Sequence, residues 1–270
     1  AQGISRYNIS KNKVMEINVL IPSLEEQNMI GASLSKIDNL ITLHQRKYHK
    51  LVNTKMALLD KMFPKAGEVT PKLRFRGFTD AWEQRKLGDC VLIQRGGSPR
   101  PIQNYLTNKD DGVNWIKIGD VANDSRYITS TEEKIIPEGA KNSRFVYKGD
   151  LILSNSMSFG RPYIMAINGC IHDGWLLIRD EKKLFNLEYL LELLSSEKML
   201  EQYKSLASGG VVNNLNSQLV QSVSVTYPKI DEQAKIGNLF VKIDKLITLH
   251  QRKYEKLKNI KNALLQKMFV

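Results

Sequence analysis

Two segments of the chain place apolar residues at alternating spacings of three and four, the pattern of a helix that packs along one seam. The first segment carries this pattern over positions 34–62 and the second over 240–268. Each predicts a helix of about 41 residues, or about 60 Å at 1.5 Å per residue. The predicted seam residues are Ile37, Ile41, His44, Tyr48, Leu51 and Leu58 in the first segment and Ile243, Ile247, His250, Tyr254, Leu257 and Leu264 in the second.

The two segments are copies of one another. Residues 17–64 reappear as 223–270, with 28 of 48 positions identical. Ser23 and Glu26 form a capping box that predicts the start of the first helix, and Asp231 is placed to cap the second. Matching seams within one chain predict that the two helices pack together, although the pattern also allows pairing with another copy. His44 and His250 share one seam position, which favours packing or a hydrogen bond over a metal site.

Between the repeats the pattern changes to short β-type runs separated by Gly, Asn, Asp and Pro. One helix interrupts them, predicted by leucines at helical spacing between Asn186 and Leu206. The region predicts an irregular α+β unit. The predicted strands are Cys90–Gln94, Asn114–Ile118, Lys134–Ile136, Gly149–Leu153, Tyr163–Ile167, Trp175–Arg179 and Val223–Tyr227.

The chain is strongly basic, with a net charge of +12 and a pI near 9.5, which favours a polyanionic partner. The two repeats and the residues before the first hold +10 of that charge. A nucleic-acid surface in the middle region therefore depends on where its basic residues lie rather than on an excess of basic over acidic residues. Cys90 and Cys170 stand singly, which indicates core packing rather than metal or redox chemistry. The sequence has neither an apolar run of membrane-spanning length nor a signal-peptide pattern, and a cytoplasmic protein without a membrane partner is expected.

The loops of the middle region carry side chains that can read base edges. Arginine can bond guanine with two hydrogen bonds, and asparagine can do the same to adenine. The same residue types are common in ordinary turns. The candidate DNA-binding residues are Arg95, Ser98, Arg100, Asn123, Arg126, Asn142, Arg144, Asn155, Ser156, Arg161, Asn213 and Asn214.

Three motifs together resemble the specificity subunits of Type I restriction-modification systems. They are the opening PxLRFxGFxxxWExxxLGD over Pro71–Asp89, the later P-xxx-EQ-xx-I-G over Pro228–Gly237, and the repeated helix with IDxLI and KMF. The resemblance covers essentially the whole chain. It implies target-recognition domains that each read half of a bipartite double-stranded DNA site, separated by two long antiparallel helices that form a coiled coil and fix the spacing.

The resemblance also implies a subunit without catalytic activity of its own. The expected partners are adenine-N6 methyltransferase subunits and a restriction subunit, and S-adenosylmethionine, ATP and Mg²⁺ are expected to bind in those partners rather than in this chain. The predicted organisation is a remnant of a preceding recognition domain (1–22), a first spacer helix (23–64), one recognition domain (65–228) and a second spacer helix (229–270). A homodimer or a complementary chain would supply the second recognition domain.

Two other functions are compatible with parts of the sequence. The heptads and basic charge alone would suit a coiled-coil scaffold that binds only protein. Asp173, Glu181 and Lys183 loosely imitate the acidic and lysine residues of a Mg²⁺-dependent nuclease, although a solvated turn explains the latter two. The motifs of an adenine methyltransferase and of a Walker-type ATPase are absent from the sequence.

Overall fold

The computed structural model describes residues 10–65, 67–121, 125–155, 160–207 and 215–268. Its helices are α1 (Lys11–Met15), α2 (Leu24–Met62), α3 (Leu87–Cys90), α4 (Pro137–Lys141), α5 (Leu187–Ser195), α6 (Glu197–Ala207), α7 (Ser217–Ser222) and α8 (Ile230–Met268). Its strands are β1 (Glu83–Lys86), β2 (Leu92–Arg95), β3 (Leu106–Thr107), β4 (Val113–Ile116), β5 (Tyr127–Ile128), β6 (Glu133–Ile135), β7 (Arg144–Val146), β8 (Leu151–Ser154), β9 (Pro162–Met165), β10 (Gly169–Ile171), β11 (Trp175–Arg179) and β12 (Ser224–Tyr227). The fold is therefore α+β, as predicted.

The chain divides into two compact units, and both long helices contribute to each. One unit comprises His49–Thr248 and contains both large sheets. The other contains the remaining described parts of the long helices, residues 24–48 and 249–268, together with α1. Among the described residues, no helix combines the length and the apolar character needed to cross a bilayer.

The larger unit is built around two five-stranded sheets. One has the strand order β3-β6-β4-β10-β7 and the other β2-β11-β8-β9-β5, with a separate pair formed by β1 and β12. The chain crosses between the two large sheets repeatedly, and residues 172–174 form the crossing from β10 in the first sheet to β11 in the second. This short connection carries the candidate site described below.

Strand β11 shows how the two sheets are packed. Its side chains are buried on both faces, because Trp175 and Leu177 belong to the core cluster shared by the two sheets while Leu176 and Ile178 belong to the larger cluster that also includes α5, α6 and α8. A strand buried on both faces reads as a continuous apolar run. This explains why its bounds match the prediction at both ends.

The long helices begin and end within one or two residues of the predicted bounds. The Glu26 amide donates to Ser23 Oγ at 3.3 Å, so Ser23 caps α2 as predicted. The prediction for Asp231 is wrong, because α8 begins at Ile230 and Asp231 lies inside its first turn. The feature common to the start of both helices is a glutamine side chain that donates to the carbonyl of the proline five residues earlier. The donors are Gln27 in α2 and Gln233 in α8, and the distance is 2.8 Å in each case.

The predicted helix over residues 186–206 is divided in two. Ser196 adopts an extended backbone with ψ of 151°, which ends α5 and allows α6 to begin at Glu197. Ser196 is buried, and its hydroxyl donates to the Leu193 carbonyl at 2.7 Å. A side chain that bonds the backbone of the preceding turn competes with helix continuation, which explains the break.

Candidate DNA interface

The connection between β10 and β11 gathers side chains from three distant parts of the sequence. Asp173 lies in this connection. Its carboxylate and carbonyl accept hydrogen bonds from Arg95 at the end of β2, from the loop that follows β2 and from Asn155 after β8, and its carboxylate lies beside the ring of His172. We call this group the Asp173 cluster. Its members are Arg95, Ser98, Arg100, Asn155, His172 and Asp173.

The carboxylate of Asp173 is held by three side chains. Oδ1 accepts from Ser98 Oγ at 3.0 Å and lies 2.9 Å from His172 Nε2, while Oδ2 accepts from Arg100 at 3.2 Å. His172 Nδ1 accepts from the Gly174 amide at 2.9 Å, which holds the imidazole ring beside the carboxylate. Burial opposes ionisation, but His172, Ser98, Arg100 and Arg95 keep the pKa of Asp173 below its ordinary value. Asp173 is therefore a carboxylate at neutral pH.

The backbone carbonyl of Asp173 holds two further side chains. Arg95 Nε donates to it at 3.2 Å and Asn155 Nδ2 at 2.9 Å. Asn155 is buried, with 5% of its surface exposed, whereas the side chain of Arg100 is 80% exposed. Asn155 thus supports the cluster from inside, and Arg100 presents its guanidinium to solvent.

The loop after β2 approaches the connection closely enough to require glycine. A Cβ at Gly96 would lie 2.1 Å from the carbonyl oxygen of His172, and the Gly96 amide donates to the Trp175 carbonyl at 2.8 Å. The backbone of Gly97 is fixed in turn, because its carbonyl accepts from Ser143 Oγ at 2.6 Å. The glycine pair therefore sets the position of the arginine-bearing loop.

Two more predicted residues lie at the edge of this loop. Arg144 and Asn142 are both exposed, and Arg144 Nε lies 3.4 Å from the carbonyl oxygen of Arg95. The backbone of Asn142 is close to Gly97, because a Cβ atom at Gly97 would lie 3.6 Å from the Asn142 carbonyl oxygen. Arg161 is half-buried, and its guanidinium lies 5.4 Å from the centre of the Tyr163 ring. The structure thus brings Arg95, Ser98, Arg100, Asn142 and Arg144 together on one accessible loop surface.

Arg126 lies in a different environment from the other arginines. Its side chain is only 14% exposed and contacts Glu188 at 2.6 Å, and it also pairs with Glu192 and Asp244. Burial opposes the charge, but the three carboxylates raise the pKa of Arg126 above its ordinary value. Arg126 and Asn155 are therefore held inside the domain by protein partners, away from the accessible surface that carries Arg95, Arg100 and Arg144. Four other predicted residues, Asn123, Ser156, Asn213 and Asn214, lie outside the described residues.

The nuclease alternative does not fit this geometry. Strand β11 separates Asp173 from Glu181 and Lys183, and its five residues alone extend over about 13 Å. Within the described ranges, no group of three or more His, Cys, Asp or Glu side chains is placed to hold a metal ion. The role of Asp173 in this cluster was missed from the sequence because the residues that donate hydrogen bonds to it are 18 to 78 residues away in the chain.

Each unit contains contacts between the two long helices at the predicted seam. In the smaller unit, His44 Nδ1 lies 2.9 Å from His250 Nδ1, and Lys261 Nζ donates to Asp38 at 2.6 Å. Asp38 precedes His44 along α2, whereas its partner Lys261 follows His250 along α8. The two helices are therefore antiparallel. The seam residues named above are half-buried or buried in both helices. In the larger unit, Lys55 Nζ donates to Asp244 at 2.7 Å, the same pair of repeat positions.

The comparisons with known proteins agree on one family. Residues 79–259 match the model of the Type I restriction modification DNA specificity domain. The Type I restriction enzyme MjaVIII specificity subunit of Methanocaldococcus jannaschii is 24% identical over 95% of this chain and 62% of its own length. The HindI specificity subunit of Haemophilus influenzae is 26% identical over 70% of this chain and 41% of its own length.

A solved structure has the same fold. The HsdS subunit from Thermoanaerobacter tengcongensis superimposes with a TM-score of 0.64 at 21% identity, covering 100% of this chain and 64% of that one. The chain therefore spans less than two thirds of each of these three proteins. Because the family model covers residues 79–259, well over half of the sequence, the chain belongs to the family of Type I restriction-modification DNA specificity domains.

Proposed function

We propose that this chain recognises one half-site of a bipartite double-stranded DNA target as part of a Type I restriction-modification specificity subunit. The observation that supports this most directly is the convergence of Arg95, Ser98 and Arg100 with the exposed Arg144 on a single loop surface. Guanidinium groups suit both guanine edges and phosphates. A rigid framework below them, from Asn155 and Gly96, keeps their positions fixed before DNA binds.

The spacer role of the long helices is also part of this proposal. Each unit contains an equivalent lysine–aspartate pair between α2 and α8, Lys55–Asp244 in one and Lys261–Asp38 in the other. Duplicated helix segments would support two recognition domains at a fixed separation. The second domain would come from another stretch of chain, either a second copy of this one in a homodimer or a complementary chain.

The catalytic partners follow from the family. We propose that adenine-N6 methyltransferase subunits and a restriction subunit bind this chain, and that S-adenosylmethionine, ATP and Mg²⁺ bind in those subunits. DNA methylation would then occur at adenines selected by this chain. Mapping the adenines that become methylated when the chain is expressed with its methyltransferase subunits would test the partnership and reveal the target together.

The central experiment is competition binding to a randomised duplex library at several salt concentrations. A specific reader recovers a defined motif, and its affinity for that motif exceeds its affinity for random DNA by about 10³-fold or more. Arg144→Gln should weaken DNA binding, whereas the matched control Arg85→Gln should not, because Arg85 is exposed on β1 and pairs with Glu83 at 2.8 Å. Binding without any recovered motif would refute the proposal in favour of a scaffold or a nonspecific binder.

Light scattering on the same sample tests the source of the second domain. A dimer mass together with a symmetric motif supports pairing of two copies. A monomer mass together with a single unrepeated half-site favours a complementary chain.

A further inference from the structure

The Asp173 cluster contains a carboxylate at the centre of a surface that, on the proposed function, faces a polyanion. Such a charge opposes phosphate binding, so its presence needs a reason other than affinity. The same residue accepts hydrogen bonds from Arg95, Ser98, Arg100 and Asn155. Its side chain is 26% exposed, whereas that of Arg100 is 80% exposed, so the arginine is the more accessible member of the pair.

The number of bonds already made to Asp173 defines what it can do. Oδ1 accepts from Ser98 and lies 2.9 Å from His172 Nε2, and Oδ2 accepts from Arg100, so both carboxylate oxygens are already in contact with side chains of the cluster. Little acceptor capacity is left for a base. Arg100 uses only one of its terminal nitrogens in this contact, and its side chain is 80% exposed, so the other donors of the guanidinium are available to a ligand.

We infer that Asp173 is a positioning residue for base specificity: it holds the Arg100 guanidinium in the orientation that reads a base edge and prevents it from pairing with a phosphate. This rests on the proposed function and adds to it, because it predicts that specificity and total affinity respond in opposite directions. The expected reader is Arg100 and the expected base is guanine, whose O6 and N7 match the guanidinium fork.

The test compares the unsubstituted chain with Asp173→Asn in library selection and in salt titration. The amide keeps the size of the side chain but removes the charge that holds Arg100. We expect the ratio of specific to random affinity to fall about 5- to 100-fold, as for the loss of one bidentate base contact. Affinity for random DNA should rise, and the slope of log K against log salt should steepen by about one as Arg100 becomes free to neutralise a phosphate.

The matched control is Asp111→Asn, which makes the same charge change at an exposed position of the same domain. An equal rise in random affinity in both variants, with an unchanged motif and ratio in Asp173→Asn, would overturn the inference. A chain that recovers no motif before any substitution would instead refute the proposed function itself, so the two failures are distinguishable.

A second variant keeps the test decisive if Asp173→Asn lowers the melting temperature. Arg100→Gln changes an exposed side chain and leaves the carboxylate in place. If Asp173 keeps Arg100 away from phosphate, Arg100→Gln abolishes the guanine preference at one position and leaves the salt slope unchanged. A slope that becomes shallower by about one, with the motif intact, would show that Arg100 contacts phosphate and would overturn the inference.

Discussion

The buried ion pairs of Arg126 allow a quantitative prediction for the stability of the recognition domain. Replacing Arg126 with methionine keeps most of the side-chain volume but leaves Glu192, which is 2% exposed, and Asp244 without their strongest partner. Removal of one member of a buried ion pair costs about 3–5 kcal/mol. Lys55 remains 2.7 Å from Asp244 and 3.5 Å from Glu192 and compensates in part, so we expect a loss of about 2–4 kcal/mol.

Urea unfolding followed by tryptophan fluorescence measures this loss, because all three tryptophans, Trp82, Trp115 and Trp175, are buried in the larger unit. The urea concentration at the midpoint of unfolding should fall by about 1 M. Arg100→Met is the matched control and should change stability by less than about 0.5 kcal/mol, since its side chain is 80% exposed.

A double-mutant cycle identifies the cause of the Arg126 effect. Adding Glu192→Gln to Arg126→Met removes the uncompensated carboxylate, so the double variant should be more stable than the sum of the two single losses predicts, by about 1–3 kcal/mol. Strictly additive losses, or a loss below about 1 kcal/mol for Arg126→Met alone, would show that the ion pairs do not stabilise the domain and would refute the reasoning.

Three further predictions concern the repeat helices and the loop after β2. Lys55→Ala should cost more unfolding free energy than the repeat-equivalent Lys261→Ala, because Lys55 contacts two carboxylates and Lys261 pairs with one that is 51% exposed; urea titration of both variants checks the order. Gly96→Ala should abolish sequence-selective DNA binding while the far-ultraviolet circular dichroism spectrum is retained, because its Cβ would lie 2.1 Å from a backbone oxygen; unchanged selectivity would contradict the close approach. Burial and neighbouring charges lower the pKa of His44 and His250 below the ordinary value of 6.5, so as the pH falls the unfolded chain binds protons before the folded chain does. Stability is therefore lost as the pH falls from 6.5 to the lowered pKa values of the folded state. Melting temperatures measured between pH 8 and 5 should show this loss, and the double variant His44→Gln/His250→Gln should show a weaker pH dependence.

The long helices and the most apolar strand could be predicted closely from the sequence. In the helices the spacing of apolar residues repeats over many residues, and β11 is a continuous apolar run. Strand β1 was missed because its sequence EQRK is exposed and polar, and it becomes a strand only by pairing with β12, 140 residues away in the chain. Strands β3 and β5 have two residues each, too few to show any alternation.

The candidate site was predicted only in part, for a related reason. Local composition identified Arg95, Ser98 and Arg100, because arginines beside glycines in a polar loop have the chemistry to contact bases and phosphates. It could not distinguish Arg126 from them, since both kinds of arginine occur in polar loops. The difference is that three carboxylates from α5 and α8 surround Arg126, and those helices are separated from it by 62 to 118 residues. Side-chain identity was visible in the sequence, but burial was not.

The duplicated helices show most clearly why sequence alone does not determine the energy of a contact. The lysine–aspartate pair between α2 and α8 has the same residues in both copies and nearly the same distance, 2.7 and 2.6 Å. In the larger unit Asp244 is 18% exposed and also pairs with Arg126, whereas Asp38 in the smaller unit is 51% exposed. An exposed ion pair contributes about 0–1 kcal/mol, while one that belongs to a buried network costs several times more to break. A recognition domain that covered Asp38 would therefore increase the free energy needed to break the Lys261–Asp38 pair toward that of Lys55–Asp244. The loss of stability caused by Lys261→Ala should then be larger when the second domain is bound.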